Sequence, residues 1–323
     1  MTAKKAILKI HLWLGLSSGL VVVILGITGC LLAFETEIRS FTEPQQFVKV
    51  EDRPYVPPSV LKEEAEKYLD GNKVNGIEYP GKGKAALASF YDAENYKLVA
   101  LNPYSGKMLK VKNMNRDFFR IVLDGHYYLW LPEKIGQPIV ASATLIFLVM
   151  LITGLVLWWP KNKAARKQRF SIKWNAKWRR VNYDLHNVLG FYMTWIVIFI
   201  TITGLVFGFE WFANSFYWIT SGGKPLVEEV HPASDTLLAK NIKGNVADEL
   251  WLSMLQKKNE KESIGVYYPL TNTDPLEVTI NHRPGTYYNM DFYHFDQYSG
   301  AELPATGTYA GNFKDAKVAD KIK

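Results

Sequence analysis

An apolar segment of 25 residues occurs twice in this chain, and the repeat constrains the fold more than any other feature. The copies cover residues 11–35 and 186–210, and they align without a gap at His, Leu-Gly, Ile-Thr-Gly and Phe-Glu. Each copy has about 20 apolar residues, the length at which a helix crosses the hydrocarbon core of a bilayer. The repeat therefore predicts two membrane spans, each with a histidine near its start, His11 and His186.

A third copy of the Ile-Thr-Gly tripeptide indicates a further span. Residues 138–159 are also apolar and contain Ile152-Thr153-Gly154, which repeats the Ile-Thr-Gly of the other two segments. Small residues and threonine allow membrane helices to approach closely and to form hydrogen bonds, so we interpret these tripeptides as helix-packing positions. The spans are predicted at residues 7–34, 138–159 and 184–212.

The charge distribution predicts the topology and excludes a nucleic-acid partner. The net charge is +7, but nine of the 38 basic residues lie between Lys161 and Arg180, a stretch without an acidic residue. A basic block beside membrane spans indicates a cytoplasmic loop, which also places the N-terminus in the cytoplasm. The single cysteine, Cys30, excludes an intramolecular disulfide, a cysteine metal cluster and a covalent CxxCH haem site.

The two long polar segments each predict a small α+β domain outside the membrane. In the first, Ser59 is the expected N-cap of a helix that ends before Gly71. Both segments contain a Tyr-Ser-Gly turn, within residues 102–106 and 296–300, so this domain is duplicated as well. The predicted helices are residues 59–69 and 236–257, and the predicted strands are residues 86–90, 97–101, 264–268, 277–281 and 288–295.

The resulting fold class is a membrane α-helical protein with periplasmic α+β domains. Since the repeat unit is span, outer domain, span, we expect a fourth helix beyond the second outer domain, which is then truncated in this sequence. A dimer or a partner polypeptide is expected to supply that helix. The predicted organisation is a first helix (1–35), an outer domain (36–125), a second helix (126–160), a basic cytoplasmic loop (161–183), a third helix (184–213) and a second outer domain (214–323).

Histidines at matched depth in two membrane helices indicate a metal site. Two imidazoles that face each other across a helix bundle hold a b-type haem iron from both sides, so His11 and His186 are the predicted ligands. Gly15 and Gly190 follow four residues later on the same helix faces and would leave room for the porphyrin edge. Arg180 is expected to reach its propionates.

His126 precedes the second span and is the candidate ligand of a second haem. This outer haem would need a ligand from the fourth helix or from a partner. The remaining histidines, His231, His282 and His294, lack a metal-like spacing, and we expect them to be surface residues.

The chain resembles the PepSY-associated transmembrane family, which includes iron-regulated inner-membrane proteins and ferric-siderophore reductases of Gram-negative bacteria. The resemblance extends over nearly the whole chain. It implies four spans, two periplasmic PepSY domains, and haem held by histidines of the spans. Several members of this family reduce Fe(III) in an imported siderophore and thereby release Fe(II), so the resemblance implies this activity. The similar motifs are His11-Leu-Trp-Leu-Gly15, the turn at 102–106, the segment 152–160 (ITGLVLWWP), Asp184-Leu-His186 with Leu189-Gly190, and Thr203-Gly204.

The leading hypothesis is a haem-binding electron carrier of the inner membrane that reduces a periplasmic ferric siderophore or ferric chelate. A quinol or a redox partner protein would supply the electrons, because the sequence has no glycine-rich dinucleotide fingerprint. The sequence assigns no catalytic residue. Two alternatives stay open: a non-enzymatic PepSY protein that binds or regulates an envelope protease or assembly, and an inactive truncated product.

Overall fold

The computed structural model describes residues 2–160, 162–226, 232–241, 245–284 and 289–304, without the side chains of residues 164, 240 and 241. It divides into two compact units. The helical unit contains the described residues of 2–32 and 122–220, and the sheet unit contains those of 33–121 and 221–304. His231 and the segment in which a fourth helix was expected to begin lie outside the described residues.

The described helices and strands alternate between the two units along the chain. The α-helices are α1 (Ala3–Ala33), α2 (Glu35–Thr42), α3 (Pro58–Glu66), α4 (Phe118–Tyr128), α5 (Glu133–Trp158), α6 (Lys163–Arg169), α7 (Trp178–Gly208), α8 (Glu210–Thr220) and α9 (Val246–Leu255). The strands are β1 (Gly76–Tyr79), β2 (Ala86–Tyr91), β3 (Tyr96–Leu101), β4 (Met108–Asn113), β5 (Ser263–Tyr267), β6 (Leu276–Asn281), β7 (Met290–Phe295) and β8 (Glu302–Leu303).

The three predicted spans are confirmed: α1, α5 and α7 are long and apolar enough to cross a membrane. α5 begins five residues before the predicted start, since Pro138 lies inside the helix rather than at its beginning. α7 ends at Gly208, and α8 continues from Glu210.

α5 packs antiparallel to both α7 and α1, through small residues at some points and through large side chains at others. A Cβ added to Gly208 would lie 2.9 Å from the Cβ of Ala141, so the backbones of α7 and α5 are close at that point. At the other end of this pair, the Trp158 ring of α5 stacks on Phe191 of α7 with centroids 3.9 Å apart. Between α1 and α5, Ser18 lies against the sulfur of Met150.

The sheet unit is built around one antiparallel sheet of eight strands, in the order β4-β3-β2-β1-β5-β6-β7-β8. The strands of the two polar segments meet at its centre, where Ile77 of β1 pairs with Val266 of β5. α3 and α9 contribute Leu61 and Trp251 to the hydrophobic core of this unit, and the side chain of Asp248 in α9 accepts hydrogen bonds from Ser59 in α3. The two duplicated segments therefore share one sheet and one core.

The repeated Tyr-Ser-Gly turns have the same structure. In the first, the Asn102 side chain accepts hydrogen bonds from two backbone amides, and Gly106 adopts φ +75°. In the second, Asp296 takes the place of the asparagine and Gly300 adopts φ +71°. Glycine is favoured at these last positions because a side chain disfavours the left-handed backbone conformation.

Two helix predictions in the sheet unit are wrong in detail. Ser59 is not the N-cap of α3: Pro57 precedes the helix, and the Ser59 hydroxyl instead donates to Asp248. Within the predicted helix 236–257, the described residues form a 3₁₀ helix, Thr236–Asn241, and α9, which Asn245 caps. β1 and β4 were not predicted, since β1 is short and β4 has the mixed sequence MLKVKN, in which apolar and basic residues are interspersed.

The prediction that His282 and His294 are surface residues is also wrong. His294 is only 3% exposed and lies beside Glu277. His282 lies between two buried carboxylates, with Nδ1 2.7 Å from Glu262 Oε1 and Nε2 2.9 Å from Asp291 Oδ2. A neutral imidazole has one N–H, whereas a carboxylate at each ring nitrogen requires two donors, so these contacts favour the imidazolium form of His282. Burial lowers the pKa of His282, but hydrogen bonds with Glu262 and Asp291 outweigh this effect and raise it.

This arrangement makes the stability of the sheet unit sensitive to alkaline pH. Because the pKa of His282 is raised in the folded state, its protonated ring stabilises the fold fully at pH values below the ordinary pKa of about 6.5. This contribution is lost as the pH rises through the pKa of the folded state. We expect the unfolding temperature of the detergent-solubilised protein to fall between about pH 6 and about pH 9. His282→Gln should lower stability by about 2 kcal/mol at the lower pH and flatten this pH dependence. An equal pH dependence in the variant would contradict the assignment.

Candidate functional site

The histidines of the two repeated spans face each other in the helical unit. His11 lies in the third turn of α1, and His186 lies in the third turn of α7. Their ring centroids are 6.4 Å apart, and the ring planes are inclined by 70°. The structure thus brings together the two residues that the sequence repeat paired.

The spacing and donor set of this pair fit a haem iron. Two imidazoles that bind one metal ion from opposite sides, through nitrogens at about 2.0 Å, have ring centroids about 6 Å apart. Among the described residues, no group of three or more His, Cys, Asp or Glu side chains could hold a metal ion. A pair of imidazoles suffices for a haem, because the porphyrin supplies the other four nitrogens.

A threonine of α5 holds the His11 ring. The Nδ1 atom of His11 is 2.9 Å from Oγ1 of Thr153, and Oγ1 also lies 2.8 Å from the backbone oxygen of Val149. The next residue, Gly154, faces the same ring: a Cβ at this position would lie 3.3 Å from His11 Cε1. The Ile-Thr-Gly tripeptide of α5 therefore contacts His11, a candidate haem ligand, directly.

The same arrangement surrounds His126, with the tripeptide of α1. His126 Nδ1 is 2.9 Å from Thr28 Oγ1, which lies 2.7 Å from the backbone oxygen of Ile24. A Cβ at Gly29 would lie 3.2 Å from His126 Cε1. His11 and Thr28 are separated by 17 residues of one helix, which corresponds to about 25 Å along its axis. The two histidines are thus held toward opposite ends of α1.

A tight turn between α4 and α5 fixes the position of His126. Leu129 and Trp130 both adopt positive φ, and α5 begins at Glu133. A Cβ at Gly136 would lie 2.1 Å from the backbone oxygen of Tyr128, so only glycine allows α5 to approach the end of α4 this closely. The direction in which α4 presents His126 depends on this contact.

The other residues predicted for the haem site have different surroundings. Gly15 faces Met150, whose methyl group would be 3.0 Å from an added Cβ, while Gly190 has no atom within 4 Å of that position. The Nε atom of Arg180 pairs with Asp184 at 3.0 Å, and the guanidinium lies 5.8 Å from the Tyr183 ring centroid. The roles of Gly15, Gly190 and Arg180 toward a porphyrin stay predictions.

The residues that sequence reasoning missed are Thr28 and Thr153. The interpretation of the tripeptides as helix-packing positions is adequate for Gly204, where an added Cβ would lie 3.6 Å from the methyl group of Thr144. A signal was nevertheless present, since His11 and His186 are both followed by such a threonine after 17 residues. The sequence did not indicate that each threonine serves a histidine on another helix.

The close approach at Gly136 is testable by substitution. Gly136→Ala should lower the free energy of unfolding by about 1–3 kcal/mol, because the added methyl group forces the α4–α5 turn apart. Gly19→Ala is the matched control, since nothing lies within 4 Å of the position of its added Cβ. In a helix interior this control should be neutral or stabilising by up to about 1 kcal/mol. Equal thermal unfolding of the two variants in detergent would contradict the contact.

The family model described as the PepSY-associated TM region matches residues 8–320. The match includes α1, α5, α7 and the described strands of the sheet unit. No curated protein matches the chain.

Proposed function

Because the chain belongs to the PepSY-associated TM region family and is a membrane protein, we propose that it binds haem b and transfers electrons across the membrane. The single observation that carries this proposal is the pair His11 and His186, which approach from two different spans to a ring separation of 6.4 Å. Ionisable residues inside membrane helices are costly and mark functional sites. Their repetition at the same depth supports a shared ligand.

The chain's own residues would hold a haem through two histidines. A haem bound in this way would supply one-electron chemistry. His11 and His186 would hold the iron, Thr153 would orient the His11 ring, and Arg180 at the start of α7 would offer a cation to a propionate. His126 would bind a second haem when a further helix or a partner chain supplies the opposite ligand.

The proposed reaction is the one-electron reduction of a ferric siderophore or ferric chelate. A quinol, or a redox partner protein, gives up the electrons, and a quinol also releases its protons as it becomes a quinone. Fe(III) in the chelate becomes Fe(II), which the chelator binds weakly and releases for uptake. The basic loop around α6 supports an orientation with this loop and the N-terminus in the cytoplasm of a bacterium. The sheet unit and the substrate then lie in the periplasm, and the membrane is the inner one.

A binding function without redox chemistry is the second candidate. In the sheet unit, a cleft of about 530 Å³ is lined by aromatic residues, among them Tyr55 and Tyr79, and by charged residues, among them Arg53, Lys82 and Lys258. Aromatic walls with a few charged groups suit a peptide segment or a small ligand. This cleft favours a PepSY protein that binds or regulates an envelope protease or assembly. Such a protein would show no haem bands.

A visible difference spectrum distinguishes the two candidates. We expect the detergent-purified protein, expressed with ample haem supply, to show a b-type spectrum when reduced minus oxidised spectra are recorded. His11→Ala and His186→Ala should each abolish these bands, because one remaining imidazole cannot hold the iron from both faces. His126→Ala should retain the haem of the His11 and His186 pair. Absence of haem from the intact protein would refute the electron-transfer proposal.

The substrate class is tested by following the reduced haem. Addition of a ferric siderophore to the anaerobically reduced protein should reoxidise the haem bands and produce Fe(II), detected by a ferrous-specific chelator. A gallium complex of the same siderophore is the matched control, since Ga(III) does not accept an electron under these conditions. Haem bands that stay reduced with ferric chelates, while a quinone reoxidises them, would exclude the reductase function.

A further inference from the structure

The pairs Thr153-Gly154 and Thr28-Gly29 make equivalent contacts with two different histidines. Each threonine oxygen lies 2.9 Å from the Nδ1 atom of a histidine on another helix, Thr153 to His11 and Thr28 to His126. Each following glycine faces Cε1 of the same ring, and an added Cβ would lie 3.3 or 3.2 Å from it. Two separate sites with the same two contacts indicate a common role.

The direction of these hydrogen bonds follows from the second contact of each hydroxyl. Thr153 Oγ1 is 2.8 Å from the carbonyl oxygen of Val149, four residues earlier in the helix. Two oxygens at this distance need a hydrogen between them, and a carbonyl has none to give. The hydroxyl hydrogen therefore points to Val149, and the threonine oxygen accepts from the histidine.

The same argument applies at the other site. Thr28 Oγ1 lies 2.7 Å from the carbonyl oxygen of Ile24, so its hydrogen is used within α1. Both histidines thus carry their hydrogen on Nδ1.

We propose that Thr153-Gly154 and Thr28-Gly29 are positioning residues that hold His11 and His126 in the Nδ1–H tautomer, with the Nε2 lone pair free for a metal. The tautomer itself does not depend on the proposed function, whereas the consequence for haem rests on it. Metal-binding histidines commonly donate their other N–H to a carboxylate, a carbonyl or water, and this contact fixes the ring and raises its basicity. Here threonine hydroxyls take that place inside the membrane. The glycines leave just enough space for the ring edge.

The third tripeptide supplies a matched control. Thr203 in α7 also donates to a carbonyl of its own helix, that of Ile200 at 2.8 Å. Within the part of the chain that the structure describes, no histidine contacts Thr203 or Gly204. Thr203→Val therefore removes the same hydroxyl from the same motif without touching a histidine.

The first test observes the tautomers directly, without haem. In haem-free protein labelled with ¹⁵N-histidine, NMR of the ring nitrogens should show His11 and His126 with hydrogen on Nδ1, assigned by loss of each signal in His11→Gln and His126→Gln. Thr153→Val should change only the His11 signals, and Thr28→Val only those of His126. Thr203→Val should change neither. Nδ1 signals that are the same in Thr153→Val, Thr28→Val and the intact protein would overturn the proposal.

The second test measures the effect on haem. Thr153→Val should weaken haem binding by about 10–100-fold, the usual loss for such an outer contact, while Thr153→Ser, which keeps the hydroxyl, should restore it. Loss of the hydrogen bond makes the imidazole a weaker donor, so Fe(III) is stabilised less. The midpoint potential should therefore rise, by about 59 mV if affinity for the ferric form falls tenfold more than for the ferrous form.

The two tests separate failure of this inference from failure of the proposed function. If the intact protein binds no haem but Thr153→Val shifts the His11 tautomer, the positioning role stands and the electron-transfer function fails. If the intact protein binds haem and Thr153→Val behaves as Thr203→Val does in both affinity and potential, the positioning role is wrong and the proposed function stands.

Discussion

The hydrogen bond between a threonine hydroxyl and a histidine ring on a neighbouring helix is the interaction on which the helical unit depends. A polar ring in a membrane helix is costly to leave without a partner, since hydrocarbon offers no water to satisfy it. α1 takes part in two such bonds, through His11 near its start and through Thr28 near its end. The Nδ1 atoms of His11 and His126 each have a hydrogen-bond partner within the helical unit. The Nε2 atoms are then the nitrogens left to bind a metal ion. The contacts that hold α1 against α5 and α4 are therefore the same contacts that orient His11 and His126.

In the sheet unit the equivalent constraint is the pairing of β1 with β5. Each half of the duplicated segment contributes four neighbouring strands to the sheet and one helix to its core. Joining the halves at Ile77 and Val266 produces a continuous sheet with α3 and α9 on one core. The Ser59 and Asp248 hydrogen bonds then connect the two helices. Duplication here makes one larger domain core from two small ones.

Much of the fold could be predicted from the sequence, because the strongest signals are local. The apolar length of the spans, the repeated Tyr-Ser-Gly turns and the alternating strands β2, β3, β5 and β6 all depend on residues close together in the chain. The pairing of His11 with His186 also followed from the repeat. The partners of Thr28, Thr153 and His282 could not be predicted, since each contact joins distant segments whose register only the folded chain defines. Ser59 shows the same limit: its sequence context fits an N-cap, but the tertiary contact with Asp248 determines its role.

The electron paramagnetic resonance spectrum of the oxidised, haem-loaded protein tests the central claim most directly. Iron held by His11 and His186 together has two imidazole ligands and no open position. The account predicts a low-spin ferric signal of the bis-imidazole type, with one such haem per chain. A high-spin ferric signal in the intact protein would show that at least one axial position lacks a histidine, and it would contradict the account.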